Sequence, residues 1–216
     1  MKSRAVDRRE DLLRTAARLF RERGYAATSV RDIADELGVT SAALYNYVAS
    51  KEDLLYAILD HAMSIAERHL EQAHAPRAPL DQQLRSLIFH HVLAVLDEDQ
   101  TAMAVFFQET GLRRGSRWRE IDQRRVRYQE AIVRVFQQAA DVGLIQTPDA
   151  RVSAYGVLGM CNWLHRWYRP DGPLTREQIA QHFTDMVLHG LVRSKPESGP
   201  GLVSDAIVPY TAYRDP

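Results

Sequence analysis

The sequence contains a single cysteine, Cys161, so the chain cannot form an intramolecular disulfide. This excludes a small secreted domain held together by disulfides. The sequence also lacks an apolar run of the roughly 20 residues that a membrane-spanning helix needs, and no apolar signal-peptide core follows Met1. We therefore expect a cytoplasmic protein with no membrane partner.

An excess of charge of either sign is also missing, because 28 Lys and Arg side chains balance 28 Asp and Glu side chains. The distribution is slightly uneven. Residues 1–51 carry ten basic and seven acidic side chains, a net of +3, which leaves −3 for the remainder. A weakly basic N-terminal segment is compatible with DNA binding but does not require it.

Common enzyme motifs are absent as well: the sequence has no Gly-x-Ser-x-Gly nucleophile elbow, phosphate-binding loop or dinucleotide fingerprint. Cys161 stands among apolar residues, which indicates a buried side chain rather than a nucleophile. No two of the eight histidines are four residues apart, the spacing that places two metal ligands on one helix face. We predict no enzymatic activity, no metal site and no resident cofactor.

What the sequence does have is apolar residues at helical intervals through most of its length, with no convincing strand pattern. This predicts an all-α protein. Two short helices are predicted at about 29–37 and 41–47, and a long helix begins near residue 51. Further helices are predicted at about 80–97, 100–112, 116–143, 149–168 and 175–193.

Residues 29–47 have the pattern of a helix-turn-helix. Ser29 and Asp32 are spaced as a capping box, Gly38 closes the first helix, and Thr40 caps the second. Small residues at the start of the second helix allow its first turn to approach base edges in the DNA major groove. Base contacts are assigned to Thr40, Ser41, Ala42, Ala43 and Asn46. Other DNA contacts, chiefly to phosphates, are assigned to Thr28, Ser29, Arg31, Tyr45, Tyr47 and Lys51.

Two short helices around a glycine turn also occur in small bundles that bind no DNA, and spacing alone does not separate the two interpretations. Four sequence runs favour the DNA-binding interpretation: FRERGYAATSVRDIA at 20–34, LGVT at 37–40, LYNY at 44–47 and SKEDLL at 50–55. Together, over about 50 residues, they closely resemble the N-terminal domain of TetR-family transcriptional repressors.

The resemblance implies a domain organisation and a mode of action. Residues 1–50 would form a three-helix DNA-binding domain, 51–74 a linking helix and 75–194 a helical ligand-binding and dimerisation domain, followed by a tail at 195–216. The last two large helices would pair in a homodimer. The dimer would bind a palindromic operator, and a small-molecule effector in the C-terminal domain would release it.

Two features of the C-terminal half bear on the effector. Eight arginines and only three acidic residues fall within 113–134. They fit either a solvated helix face with pairs such as Glu120–Arg124 and Glu130–Arg134, or a patch that binds phosphate groups. The second feature is the segment WLHRWYRPDGPL at 163–174, in which two tryptophans lie four residues apart beside Arg166. Core packing is the alternative for these residues.

The second segment resembles, less specifically, the branch of the TetR family that responds to acyl-CoA thioesters. Such a ligand would explain both the arginine-rich segment and the segment with two tryptophans, because its nucleotide needs basic groups and its acyl chain needs an apolar cavity. The ligand-binding residues predicted on this basis are Phe106, Phe107, Arg113, Arg114, Arg124, Tyr128, Leu158, Trp163, Arg166 and Trp167. The alternatives are a repressor that senses an uncharged hydrophobic drug or metabolite and, from other classes, a helical adaptor or an enzyme without DNA binding.

Overall fold

A computed structural model describes residues 2–97, 100–109 and 115–191 of the chain. The regular elements of these residues are α-helices, which confirms the all-α prediction. Arg113, Arg114 and the predicted tail at 195–216 lie outside the described residues. The helices are α1 (Lys2–Arg23), α2 (Val30–Glu36), α3 (Ser41–Tyr45), α4 (Lys51–Ala73), α5 (Leu80–Val95), α6 (Gln100–Gln108), α7 (Ser116–Asp141), α8 (Ala150–Asn162), α9 (Leu164–Trp167) and α10 (Arg176–Leu191).

The starts of the N-terminal helices follow local chemistry that the sequence predicts. Ser29 and Asp32 form a reciprocal capping box: the Ser29 hydroxyl accepts from the Asp32 amide at 3.1 Å, and the Asp32 carboxylate accepts from the Ser29 amide at 2.7 Å. Thr40 accepts from the Ala43 amide at 3.2 Å and caps α3. Between these helices Gly38 has a φ of +66°, a conformation in which a Cβ is strained. The turn of the helix-turn-helix is therefore specified by its own residues.

One predicted helix differs from the structure. The stretch expected as a single helix at 149–168 is divided at Trp163 into α8 and the short α9. At the break the Arg166 amide donates to the Trp163 carbonyl at 3.0 Å, one residue closer than in an α-helix. The division buries Leu164 completely and leaves Trp163 and Trp167 exposed. The pattern of apolar residues does not reveal this break because all three side chains are apolar.

Helix α4 is shared between the two halves of the molecule. Its first two turns place Leu54, Leu55 and Ile58 in the core with α1 and α2, where all three are almost fully buried. Its later turns run between α5, α6 and α7. A continuous helix thus connects the N-terminal half, which holds the helix-turn-helix, with the C-terminal half.

Helix α7, which holds most of the arginine-rich segment, is tied to its neighbours by ion pairs. Arg124 is 13% exposed and reaches α4, where its guanidinium donates to Asp60 at 2.5 Å and to Glu67 at 2.7 Å. Glu130 accepts from Arg151 of α8 at 2.6 Å. Arg124 and Glu130, which the sequence predicts to pair with Glu120 and Arg134 along α7, form their ion pairs with residues of α4 and α8.

Replacing Arg124 with Met is expected to destabilise the protein, because Asp60 and Glu67 lose their shared cation. We expect a loss of about 1–3 kcal/mol in the free energy of unfolding, or a Tm lower by about 3–10 °C. Thermal denaturation followed by circular dichroism measures this. Arg127→Met, at an exposed position of the same helix, is the control and should change Tm by less than about 2 °C. Equal Tm values for the two variants would contradict the assignment.

Candidate DNA-binding surface and effector cavity

The side chains predicted to read DNA form one exposed surface at α3. Leu44 is 1% exposed and anchors the helix in the core, while Tyr45 and Tyr47 are 52% and 38% exposed. Thr40, Ala42 and Asn46 are also exposed, and Ser41 and Ala43 are half-buried. The first turn of α3 therefore presents small residues outward, with two tyrosines beside them, as a helix that enters the major groove requires.

The residues predicted at the start of α2 occupy different environments. Ser29 and Arg31 are exposed, and the Arg31 side chain, 84% exposed, lies 3.8 Å from Asp35. Thr28 is only 1% exposed, and its hydroxyl donates to the Gly24 carbonyl at 2.9 Å. Its side chain therefore faces the interior in this structure, while Ser29 and Arg31 remain accessible to a phosphate.

Lys51, predicted to contact phosphate, bonds within the protein. Its Nζ donates to the carbonyl oxygens of Tyr25 at 2.6 Å and Thr28 at 2.7 Å, and lies 4.1 Å from the centre of the Tyr25 ring. These contacts join the start of α4 to the loop that precedes α2. The sequence places Lys51 at a helix start next to the DNA-binding motif, but only the fold shows that two carbonyl groups converge on it.

A cavity of about 330 Å³ lies among α4, α5, α6, α7 and α8. The predicted residues Phe106, Phe107, Tyr128 and Leu158 line it, together with Ala62, Met63 and Ala66 of α4. Pockets of this size and apolar character hold small ligands. Because α4 supplies one wall, the helix that enters the DNA-binding core also borders the cavity.

Polar groups line the same cavity. The His91 ring Nδ1 and the Tyr128 hydroxyl are 2.8 Å apart. Burial lowers the pKa of His91 to about 4, against the opposing effect of the neighbouring Asn162 amide, and burial also raises the pKa of Tyr128. Both residues are therefore neutral at physiological pH. Arg125 lines the cavity too, and its 38% exposed side chain marks a solvent-facing side.

Several predicted ligand residues do not line this cavity. Arg124 points to α4, whereas the adjacent Arg125 reaches the cavity, a difference of about 100° around a helix. Trp163 and Trp167 are 56% and 49% exposed, and the Arg166 guanidinium lies 5.5 Å from the Trp163 ring centre. His91 was not predicted; its position within the apolar stripe of α5 is the signal that could have indicated it.

Comparison with known proteins decides the family. The model of "Bacterial regulatory proteins, tetR family" matches residues 12–58, and that of "Tetracyclin repressor-like, C-terminal domain" matches residues 77–191. The chain belongs to the TetR family. It is a ligand-responsive, DNA-binding transcriptional repressor and not an enzyme. The HTH-type transcriptional repressor KstR2 of Mycobacterium tuberculosis strain H37Rv is 34% identical over 191 residues, which cover 86% of this chain and 94% of KstR2.

Solved structures of similar proteins include two with named ligands or roles. AibR in complex with isovaleryl coenzyme A and operator DNA has a TM-score of 0.73 and 35% identity, and the match covers 83% of this chain and 97% of AibR. The ketosteroid transcriptional regulator KstR2 of Mycobacterium tuberculosis has a TM-score of 0.74 and 29% identity, and the match covers 87% of this chain and 96% of KstR2.

Membrane-spanning helices and clusters of metal ligands would indicate further partners. Within residues 2–97, 100–109 and 115–191, none of the helices is long and apolar enough to cross a membrane. The same residues contain no group of three or more His, Cys, Asp or Glu side chains arranged to hold a metal ion.

Lys51→Met separates a structural role of this lysine from a phosphate contact. Because its Nζ is held by two carbonyl groups, we expect a loss of about 1–3 kcal/mol in the free energy of unfolding. The salt dependence of DNA binding should stay unchanged. A phosphate contact would instead contribute about 0.9 to the slope of log K against log salt concentration. Fluorescence anisotropy with a labelled duplex at several salt concentrations gives the slope, and thermal denaturation gives the stability.

Arg31→Met is the matched control, because this exposed side chain has no such internal role. It should leave Tm unchanged and reduce the salt slope. The assignment of Lys51 is wrong if Lys51→Met behaves in the same way as Arg31→Met in both measurements.

Proposed function

We propose that this repressor binds a palindromic operator as a homodimer and leaves it when a CoA thioester occupies the cavity. The observation that carries the proposal is the cavity itself, which combines an apolar lining with an arginine on its solvent-facing side. An acyl chain suits the first and a phosphorylated nucleotide suits the second. The similarity to AibR, solved with isovaleryl coenzyme A and operator DNA, supports the same ligand class.

The size of the cavity limits which part of such a ligand enters. At about 30 Å³ for each water-sized group, 330 Å³ holds an acyl group of roughly ten non-hydrogen atoms. The nucleotide of coenzyme A is too large to follow, so it would lie on the surface beyond Arg125. Exposed Trp163 and Arg166 are the aromatic and cationic groups closest in sequence to the cavity residue Asn162, and they suit adenine stacking and phosphate pairing.

Helix α6 offers a route from the cavity to the DNA-binding half. Phe106 and Phe107 line the cavity near its C-terminal end. Just beyond them, the Glu109 carboxylate accepts from the backbone amide of Tyr25 at 3.2 Å, in the turn after α1. A ligand that displaces the two phenylalanines would act directly on this turn, while Ala62, Met63 and Ala66 would transmit displacement along α4.

A stripe on α8 supports the homodimer. Val152, Tyr155, Gly156, Gly159 and Met160 are exposed and recur at three- and four-residue intervals, so they lie on one helix face. A Cβ added to either glycine would meet no atom within 4 Å in the monomer. A second copy of the helix can therefore approach closely over the glycines and bury the apolar side chains beside them.

Gly159→Arg tests the dimer. The longer side chain meets open space in the monomer, so we expect normal folding but steric and charge repulsion between two copies. Sedimentation velocity should show a dimer for the unmodified protein and a monomer for the variant. Operator affinity should fall at least about tenfold, which corresponds to 1.4 kcal/mol. Gln72→Arg, at an exposed site on α4, should remain dimeric. A monomeric unmodified protein would contradict the proposal.

CoA thioesters themselves test the effector class. A labelled fragment from upstream of the repressor's own gene is bound first, and isovaleryl-CoA, octanoyl-CoA, the free acids and coenzyme A are then titrated in. We expect release by a thioester but not by the acids. Arg125→Met should weaken this response about 10- to 100-fold through loss of a charge-assisted bond of about 1.5–3 kcal/mol. Arg68→Met, an exposed arginine on α4, should not. Release by uncharged hydrophobic drugs alone would favour the drug-sensing alternative.

A further inference from the structure

We propose that α3 selects A·T base pairs in the operator, through the Ala42 methyl group and the Asn46 amide. The inference rests on the operator binding of the proposed function, is independent of the effector, and adds which bases the helix prefers. It starts from charge. Residues 37–50, which include all of α3, contain no Asp, Glu, Lys or Arg, whereas these residue types make up 26% of the chain.

Charged side chains are the ones that most often recognise G·C base pairs in the major groove. Arg and Lys donate to O6 and N7 of guanine, and Asp and Glu accept from the amino group of cytosine. Asn pairs instead with N6 and N7 of adenine, and a methyl group packs against the C5 methyl of thymine. A helix surface without charged side chains therefore lacks the usual partners of G·C pairs and keeps those of A·T pairs.

The cation closest in sequence to α3 does not supply the missing charge. Lys51 Nζ donates to the carbonyl oxygens of Tyr25 at 2.6 Å and Thr28 at 2.7 Å, so its charge is bonded within the protein. Arg31 is exposed but belongs to α2, the helix that in this motif crosses the DNA backbone instead of lying in the groove. The base pairs under α3 are therefore contacted by uncharged side chains.

Ala42 and Asn46 lie on the outer face of α3. Both are exposed, while Leu44 between them is 1% exposed and fixes the opposite face in the core. Asn46 has a φ of −69° and a ψ of −17°, so helical geometry continues to this residue, and the four-residue spacing places it one turn beyond Ala42. The rise of about 6 Å between them is close to two base-pair steps of about 3.4 Å. The two side chains therefore reach different base pairs of one half-site.

Asn46 is the side chain of this surface best suited to form paired hydrogen bonds with a base. The Thr40 hydroxyl accepts from a backbone amide of α3 at 3.2 Å as the helix cap, and Ser41 is half-buried. Tyr45 and Tyr47 each carry a single hydroxyl at the end of a rigid ring, which suits a phosphate contact. The carboxamide of Asn46 has a donor and an acceptor side by side and matches N7 and N6 of adenine.

A selection from random DNA tests the base preference. The full-length protein without effector is incubated at one fixed salt concentration with duplexes that hold about 25 random base pairs, enough for two half-sites one helical turn apart. We expect each half-site of the enriched duplexes to hold at least two A·T pairs within three consecutive positions. Exchange of the adenine that Asn46 contacts for guanine should weaken binding about 5- to 150-fold, measured by fluorescence anisotropy.

Base analogues assign the contacts to the two side chains. In an enriched duplex, deoxyuridine replaces each thymine in turn and removes only the C5 methyl, and 7-deazaadenine replaces each adenine in turn and removes only N7. At one thymine of each half-site, loss of the methyl should weaken binding about fourfold, the effect of one buried methyl group. Ala42→Gly should abolish this sensitivity to deoxyuridine, and Asn46→Ala should abolish the sensitivity of one adenine to 7-deazaadenine.

Two controls separate base contacts from other effects. Ala75→Gly makes the same substitution as Ala42→Gly at an exposed position between α4 and α5 and should keep the sensitivity to deoxyuridine. Arg31→Met removes a phosphate contact, so it should weaken all duplexes about equally and leave the base preference unchanged. Because each comparison is a double-mutant cycle between protein and DNA, a loss of helix stability caused by glycine cancels.

The outcomes separate this inference from the proposed function. Enriched half-sites composed of G·C pairs alone overturn the inference and leave an operator-binding repressor. Sensitivities to the base analogues that persist in both Ala42→Gly and Asn46→Ala also overturn it. Failure of the unmodified protein to enrich any duplex contradicts operator binding itself and so overturns the proposed function.

Discussion

The structure depends on one helix that belongs to two packed regions at once. Helix α4 buries Leu54 and Leu55 in the core where it packs against α1, and two turns later it lines the cavity with Met63. At 1.5 Å per residue, about 12 Å of helix separates these positions. A helix of 23 residues with buried side chains at both ends shifts more readily as a unit than by bending. A change at the cavity wall therefore reaches the DNA-binding core without a separate signal-carrying element.

The turn around Tyr25 contacts both α4 and the residue that follows α6. Its backbone amide donates to Glu109 beyond α6, its carbonyl accepts from Lys51 of α4, and its ring packs 5.1 Å from Phe20 of α1. Residues from both cavity-bordering helices or their ends thus hold the segment that leads into α2. The Lys51 ammonium stabilises this junction because it donates to two carbonyl groups of the loop between α1 and α2, one of which, that of Tyr25, also accepts from the Thr28 amide at 3.3 Å.

The sequence predicts most of the fold because its signals are local. A capping box, a glycine at positive φ and a small-residue helix start each depend on a few neighbouring residues, and the structure contains all three. The site is less predictable because it depends on which way neighbouring side chains point. Arg124 and Arg125 are the same residue type and are adjacent in sequence, yet Arg124 faces α4 and Arg125 faces the cavity. Lys51 is basic and close to the DNA-binding motif, yet carbonyl groups 23 and 26 residues away bind it.

The surroundings of His91 show the same difference between local sequence patterns and tertiary contacts. The ring nitrogens of a buried histidine need hydrogen-bond partners, and the Tyr128 hydroxyl is the partner of His91 Nδ1. The ring also lies beside the Asn162 amide, so α5, α7 and α8 meet at this one side chain. The helical pattern of α5 cannot reveal these contacts, because Tyr128 and Asn162 follow His91 by 37 and 71 residues in the chain. A group that enters the cavity and displaces any one of the three helices therefore changes the surroundings of His91.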